Sequence, residues 1–219
     1  MQAGGPRTRA SHTAMTINLS ASIDDLLNGR IATLTIAPDG RLRPDDPPQG
    51  LILSGAFNPL HTGHEGMAAA AARLTGLPVA FELAVVNADK GALEPEDIAR
   101  RAAQFAGRYT LVLSRAPLFV EKATLYPGRR FVVGYDTAAR LIAPRYYGDE
   151  AAMRAALEAI RAAGCSFLVA GRLVEGRFRT LADLPVPPDL ADLFTPIPET
   201  LFRADISSTE LRARSRPGA

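Results

Sequence analysis

Two histidines stand three residues apart at the point where an apolar run gives way to helix-forming sequence. The stretch Leu51-Ile52-Leu53-Ser54-Gly55-Ala56-Phe57-Asn58-Pro59-Leu60-His61-Thr62-Gly63-His64 reads as a strand, a tight Gly/Pro loop and the start of an alanine-rich helix. Thr62 and Glu65 have the spacing of a capping box, which predicts a helix start at or close to Thr62. The free N–H groups and dipole of such a start attract phosphate. Imidazoles placed there can donate hydrogen bonds to phosphoryl oxygens without the bulk of an arginine. That suits transfer at the α-phosphorus of a nucleoside triphosphate, where positioning and charge stabilisation carry the chemistry and no covalent protein intermediate is required. The chain has only three histidines, so two at one turn argue against coincidence.

A second candidate lies near the C-terminus, in Asp205-Ile206-Ser207-Ser208-Thr209-Glu210-Leu211-Arg212. Ser207 and Glu210 form another capping-box pattern, which would turn the N–H groups and hydroxyls of Ser208 and Thr209 toward an anion. Arg212, one turn further on, could grip a phosphate bidentately. A Ser-Ser-Thr cap is common by itself; its weight comes from the histidine motif upstream.

Together these strings resemble the nucleotidylyltransferase superfamily, whose signatures are H-x-G-H in a G-x-F-[DN]-P-x-H-x-G-H loop and I-S-S-T-x-[IL]-R. Gly55, Phe57, Asn58, Pro59, His61, Gly63 and His64 match the first, and the second follows in the order the family shows. The resemblance covers roughly Leu51 to Arg214 and is greatest for the nicotinamide mononucleotide adenylyltransferase branch. It implies an enzyme that moves AMP from ATP to a small phosphorylated acceptor and releases pyrophosphate, with a CTP-using cytidylyltransferase or a catalytically silent nucleotide-binding module as alternatives. It also implies catalytic roles for His61, His64 and Arg212. Nucleotide contacts would come from Gly55, Ala56, Phe57, Asn58, Gly63, Gly134, Asp136, Ser207, Ser208 and Thr209. Magnesium would arrive with the triphosphate, bridging its oxygens with few or no direct protein ligands.

Departures from the family bear on the acceptor. Ala56 stands where many relatives carry Ser or Thr, and the chain has no tryptophan to stack on a pyridine ring, so Tyr or Phe would have to serve. Asp136, in Gly134-Tyr135-Asp136-Thr137, could meet a ribose or simply cap a helix. Lys90 and Arg203 are further candidates for phosphate contact, each also readable as an ordinary surface cation.

The elements that must position these residues are legible as alternation. Strands are expected at Leu51 to Ser54, Val79 to Val86, Thr110 to Ser114, Phe131 to Gly134 and Ser166 to Ala170. Helices are expected between them at Gly63 to Leu74, Pro95 to Phe105, Leu118 to Leu125, Thr137 to Ile142 and Glu150 to Ala162. This is the pattern of βαβ units, hence a Rossmann-like doubly wound α/β fold with a mostly parallel sheet and a C-terminal helical element near Ser208 to Arg214. Residues 1–16 read as a flexible tail and residues 17–48 as a small N-terminal appendage, a helix plus a hairpin, followed by a linker. Residues 49–219 are expected to form the domain that the resemblance implies to be a nucleotidylyltransferase, its alternation broken by a Pro-rich run from Pro185 to Pro198.

Composition sets the outer bounds. With 219 residues, 47% of them hydrophobic and 22% charged, the chain can bury one substantial core. A net charge of +2, with scattered arginines, gives no case for nucleic acid. No apolar stretch approaches the roughly 20 residues of a membrane span, and none resembles the core of an export signal, so a cytoplasmic protein is expected. The single cysteine, Cys165, reads as a small buried hydrophobe, and its neighbours offer no metal-ligand spacing. Association of identical copies stays open.

Overall fold

The computed structural model describes residues 19–87 and 91–203. The chain begins there with helix α1 (19–27) and an antiparallel hairpin, β1 (Thr33–Ile36) and β2 (Leu42–Pro44). Then come β3 (Leu51–Ser54), α2 (Thr62–Thr75), β4 (Val79–Ala84), a two-strand ribbon of β5 (Val86–Asn87) and β6 (Gly91–Ala92), and α3 (Pro95–Ala102). The second half runs β7 (Leu111–Ser114), α4 (Phe119–Leu125), β8 (Arg130–Gly134), α5 (Tyr135–Leu141), α6 (Glu150–Ala162) and β9 (Ser166–Ala170). It closes with the hairpin β10 (Arg172–Val174) and β11 (Arg177–Arg179), followed by β12 (Phe194–Ile197).

Eight strands form one sheet in the order β12-β9-β8-β3-β4-β7-β1-β2. The six from β12 to β7 pair in parallel, whereas β1 runs antiparallel to β7. Counted along the chain, the parallel strands lie third, second, first, fourth, fifth and sixth across the sheet, the doubly wound Rossmann-like arrangement. The order reverses between β3 and β8, and this is where such sheets open a crevice beyond their carboxyl ends.

Strand periodicity explains why helices cover both faces. Side chains alternate sides along a strand, so Leu51 and Leu53 of β3 join one core while Ile52 joins the other. Phe81, Leu111, Leu113 and Val132 share the first core with Ile23 of α1, Ala68 and Ala71 of α2 and Ile98 of α3. Phe131, Val133, Phe167 and Val169 share the second with Ala138 of α5 and with Met153, Leu157 and Ile160 of α6. Continuous apolar strands such as Leu51 to Leu53 are what burial on two faces demands. Cys165 is buried, as expected.

Several features depart from the sequence expectations, among them the strand expected at Val79 to Val86, which ends at Ala84 and leaves Val86 to the β5–β6 ribbon. The hairpin of residues 33–44, expected in an appendage, extends the main sheet, with Thr33 and Leu34 buried. The Pro-rich run contains β12, which Pro196 tolerates because an edge strand pairs on one side only. The β10–β11 hairpin turns through Glu175 and Gly176, both at positive φ, as tight hairpin turns require. No helix among the described residues is long and apolar enough to cross a membrane.

Candidate functional site

The site starts at the carboxyl end of β3. Gly55 donates its N–H to the Glu82 carbonyl at 3.0 Å, and a Cβ at this position would lie 2.7 Å from the Phe57 ring. Only glycine lets the loop fold over that ring. Phe57 itself, at φ 44°, is 1% exposed. It packs edge-on against Phe81 at 5.6 Å, Phe105 at 5.1 Å and His64 at 5.1 Å. The apolar ring is spent on the core, where it backs His64, so any nucleotide contact of Phe57 would come from its backbone. The loop is pinned from α3 and the turn after it. Gln104 Nε2 donates to the Phe57 carbonyl at 2.9 Å and its Oε1 accepts from Leu60 N–H at 2.8 Å. Arg101 donates to the Ala56 carbonyl at 2.9 Å. Asn58 is exposed and accepts from Arg100 at 3.4 Å, turned to α3.

His61, not Thr62, caps α2. Its extended backbone lets Nδ1 accept the Gly63 N–H at 3.1 Å, and Thr62 is already the first helical residue. The capping box expected of Thr62 and Glu65 does not form, because Glu65 is drawn away to Arg108 at 2.5 Å and to the Tyr109 hydroxyl at 3.2 Å. With Nδ1 accepting, the neutral His61 ring carries its proton on Nε2. His64, one turn on, stacks on His61 with ring centroids 3.8 Å apart and planes 27° apart. Burial, with the nearby His61 adding to it, lowers the His64 pKa to about 4. Burial also lowers that of His61, opposed by Glu65. Both rings are thus uncharged at neutral pH, which is what lets them stack without repulsion. His64 Nδ1 and Ser54 Oγ are buried without hydrogen-bond partners among the described residues.

These groups line a cleft of about 250 Å³ at the point where strand order reverses. Ser54, Gly55, His61, Gly63 and His64 come from the β3–α2 side, and Gly134, Asp136 and Thr137 from the β8–α5 side. Gly134 is the N-cap of α5 and no side chain caps that helix. Asp136 therefore does not serve as a cap; its half-exposed carboxylate is paired with Arg172 of β10. Sequence reasoning missed Arg172, whose pairing joins residues 36 apart in the chain. It also missed Phe202, which reaches the cleft because Gly66 of α2 leaves room for its ring. Arg203 points elsewhere, paired with Glu199 and lying 5.1 Å from the centre of the Phe178 ring. Lys90, Ser207, Ser208, Thr209 and Arg212 lie outside the described residues.

On the other side of Ser54 and Gly55 is a second compartment of about 310 Å³, also reached by Ala56, Phe119 and Thr137. Its floor is a buried ion pair. Lys122 Nζ lies 2.7 Å from both Glu82 carboxylate oxygens and 2.8 Å from the Ala116 carbonyl, and Ser114 Oγ donates to Glu82 at 2.5 Å. Every donor of the ammonium is used, which is the condition for holding two charges at 4% and 0% side-chain exposure. A glutamate within the otherwise apolar run of residues 79–84 was the one sequence clue to this floor.

The arrangement offers uncharged imidazoles, a glycine loop and a helix start to an anion on one side, with a separate compartment for a second molecule alongside. No family model matches the chain, and neither the curated proteins nor the solved structures contain a match.

Proposed function

We propose that this chain is a nucleotidylyltransferase, which joins a nucleoside monophosphate, AMP by preference, to a small phosphorylated acceptor such as nicotinamide mononucleotide. The observation that carries the reading is the pair of stacked, uncharged imidazoles at the first turn of α2, beside Gly55, where strand order reverses. An acceptor phosphate oxygen forms the new bond to the α-phosphorus. The bond from that phosphorus to the β-phosphate oxygen breaks, and its electron pair leaves with pyrophosphate. His61 donates from Nε2 to a phosphoryl oxygen as charge grows there, and His64 stabilises the same group from the adjacent turn. Asp136 and Arg172 face the nucleotide from across the cleft, and the compartment over Glu82 and Lys122 receives the body of the acceptor. Magnesium supplies charge neutralisation on the triphosphate oxygens. Among the described residues lining the histidine cleft Asp136 alone is acidic, so the triphosphate rather than a carboxylate cage would hold the ion.

The test is pyrophosphate release with ATP or CTP against nicotinamide mononucleotide, nicotinate mononucleotide, phosphopantetheine and phosphocholine. One pairing should turn over, and His64→Ala should lower its rate about a hundredfold or more with the fold retained, as loss of a preorganised donor does. Equal rates in the native chain and the variant would remove His64 from the reaction.

A further inference from the structure

We propose that a groove walled by α4, α5 and α6 is a binding site for a small amphipathic anion, an aromatic or apolar body carrying one acidic group. The groove holds about 360 Å³, within the range of small-molecule sites. It adjoins the Glu82–Lys122 compartment at Pro117, Phe119 and Thr137 yet contains neither histidine.

Its walls are apolar where burial alone would not require it. Leu118 and Tyr146, 50% and 54% exposed, are two of only four large hydrophobic residues so open to solvent among the described residues, and both line this groove. Exposed apolar surface gathered in one concavity marks a ligand site more than surface scattered singly does.

Charge selects the ligand. Arg140 and Arg145 both press on Tyr146, their guanidinium carbons 6.0 Å and 5.0 Å from the ring centre. Neither forms an ion pair with a carboxylate of the described residues, although Arg154 and Arg161 of neighbouring α6 each pair with two. Two like charges held against one ring leave an unneutralised positive site at the mouth of an apolar groove, and hydrogen bonding from Arg145, joined by the charge of both arginines, lowers the Tyr146 hydroxyl pKa. An anion there would accept planar, bidentate hydrogen bonds from either guanidinium, while its apolar body covers Leu118 and the Tyr146 ring.

The full chain is titrated with 8-anilinonaphthalene-1-sulfonate and, as an uncharged counterpart, N-phenyl-1-naphthylamine, both followed by fluorescence. Saturable one-to-one binding of the sulfonate is expected. The Arg140→Gln/Arg145→Gln double variant should weaken it about tenfold while leaving the neutral probe within about twofold. Tyr146→Ala should weaken both probes. All three side chains are exposed, and unchanged far-UV circular dichroism verifies the fold. Should the double variant unfold, Arg145→Gln alone carries the test, with about threefold weakening expected. Sulfonate affinity unchanged by loss of the arginines, or no saturable binding to the native chain, overturns the proposal. Because binding is read directly, a His64→Ala variant should bind the sulfonate as the native chain does, whatever its transfer activity.

Discussion

Acidification should destabilise this protein through His64 in particular. The ring is uncharged when folded because burial and the neighbouring His61 lower its pKa from 6.5 to about 4. In the unfolded chain it takes up a proton at the ordinary value. Between pH 6.5 and about pH 4 the unfolded state therefore binds more protons than the folded one, so stability falls as pH drops. Above that window the ring is neutral in both states and contributes no pH dependence. Each pH unit is worth about 1.4 kcal/mol, so the full window amounts to about 3 kcal/mol lost from this one residue. Carboxylates titrate in the same range, and the measurement must cancel them. Urea unfolding, followed by circular dichroism from about pH 7 down to about pH 4, is compared between the native chain and His64→Gln, which does not titrate. The native chain should lose about 3 kcal/mol more than the variant over that range. With only three histidines in the chain, each ring Cε1–H resonance is assignable by single substitution, so the midpoint can be read directly. A His64 midpoint near 6.5, or parallel pH profiles for the two proteins, would refute the argument from burial.

The remaining predictions concern stability. Lys122→Met strands a fully buried Glu82 carboxylate and should cost about 3–5 kcal/mol by urea unfolding, whereas adding Glu82→Leu to it should restore most of that loss. If the single variant were as stable as the native chain, the pair would not be buried as described. Gly55→Ala places a methyl group 2.7 Å from a Phe57 ring already confined by Phe81 and Phe105. The overpacking should cost about 1–3 kcal/mol and disturb His64 behind it, read as a lower Tm together with lower turnover; a variant normal in both would show that the loop relaxes freely.

Much of the site was legible because its signals are local. An apolar run, a Gly-x-Phe-Asn-Pro turn and histidines at a helix start fall within fourteen consecutive residues, Leu51 to His64, and each acts through near neighbours. The alternation of strands and helices was readable for the same reason, since periodicity belongs to each segment alone. By itself the sequence therefore determined the α/β architecture, the β3–α2 turn and the two histidines on it. Partnership was another matter. Glu65 had the right spacing to cap α2, and only the approach of Arg108 and Tyr109, more than forty residues away, turned it outward and left the cap to His61. Phe57 matched a binding motif, yet the convergence of Phe81 and Phe105 made it core. Lys122 falls within the helix expected at Leu118 to Leu125, but only the sheet brought Glu82 beneath it, and Asp136 gained Arg172 only through the β10–β11 hairpin. The tertiary structure decided these partners because desolvation and ion pairing depend on which segments meet in space, and spacing along the chain carries no record of that.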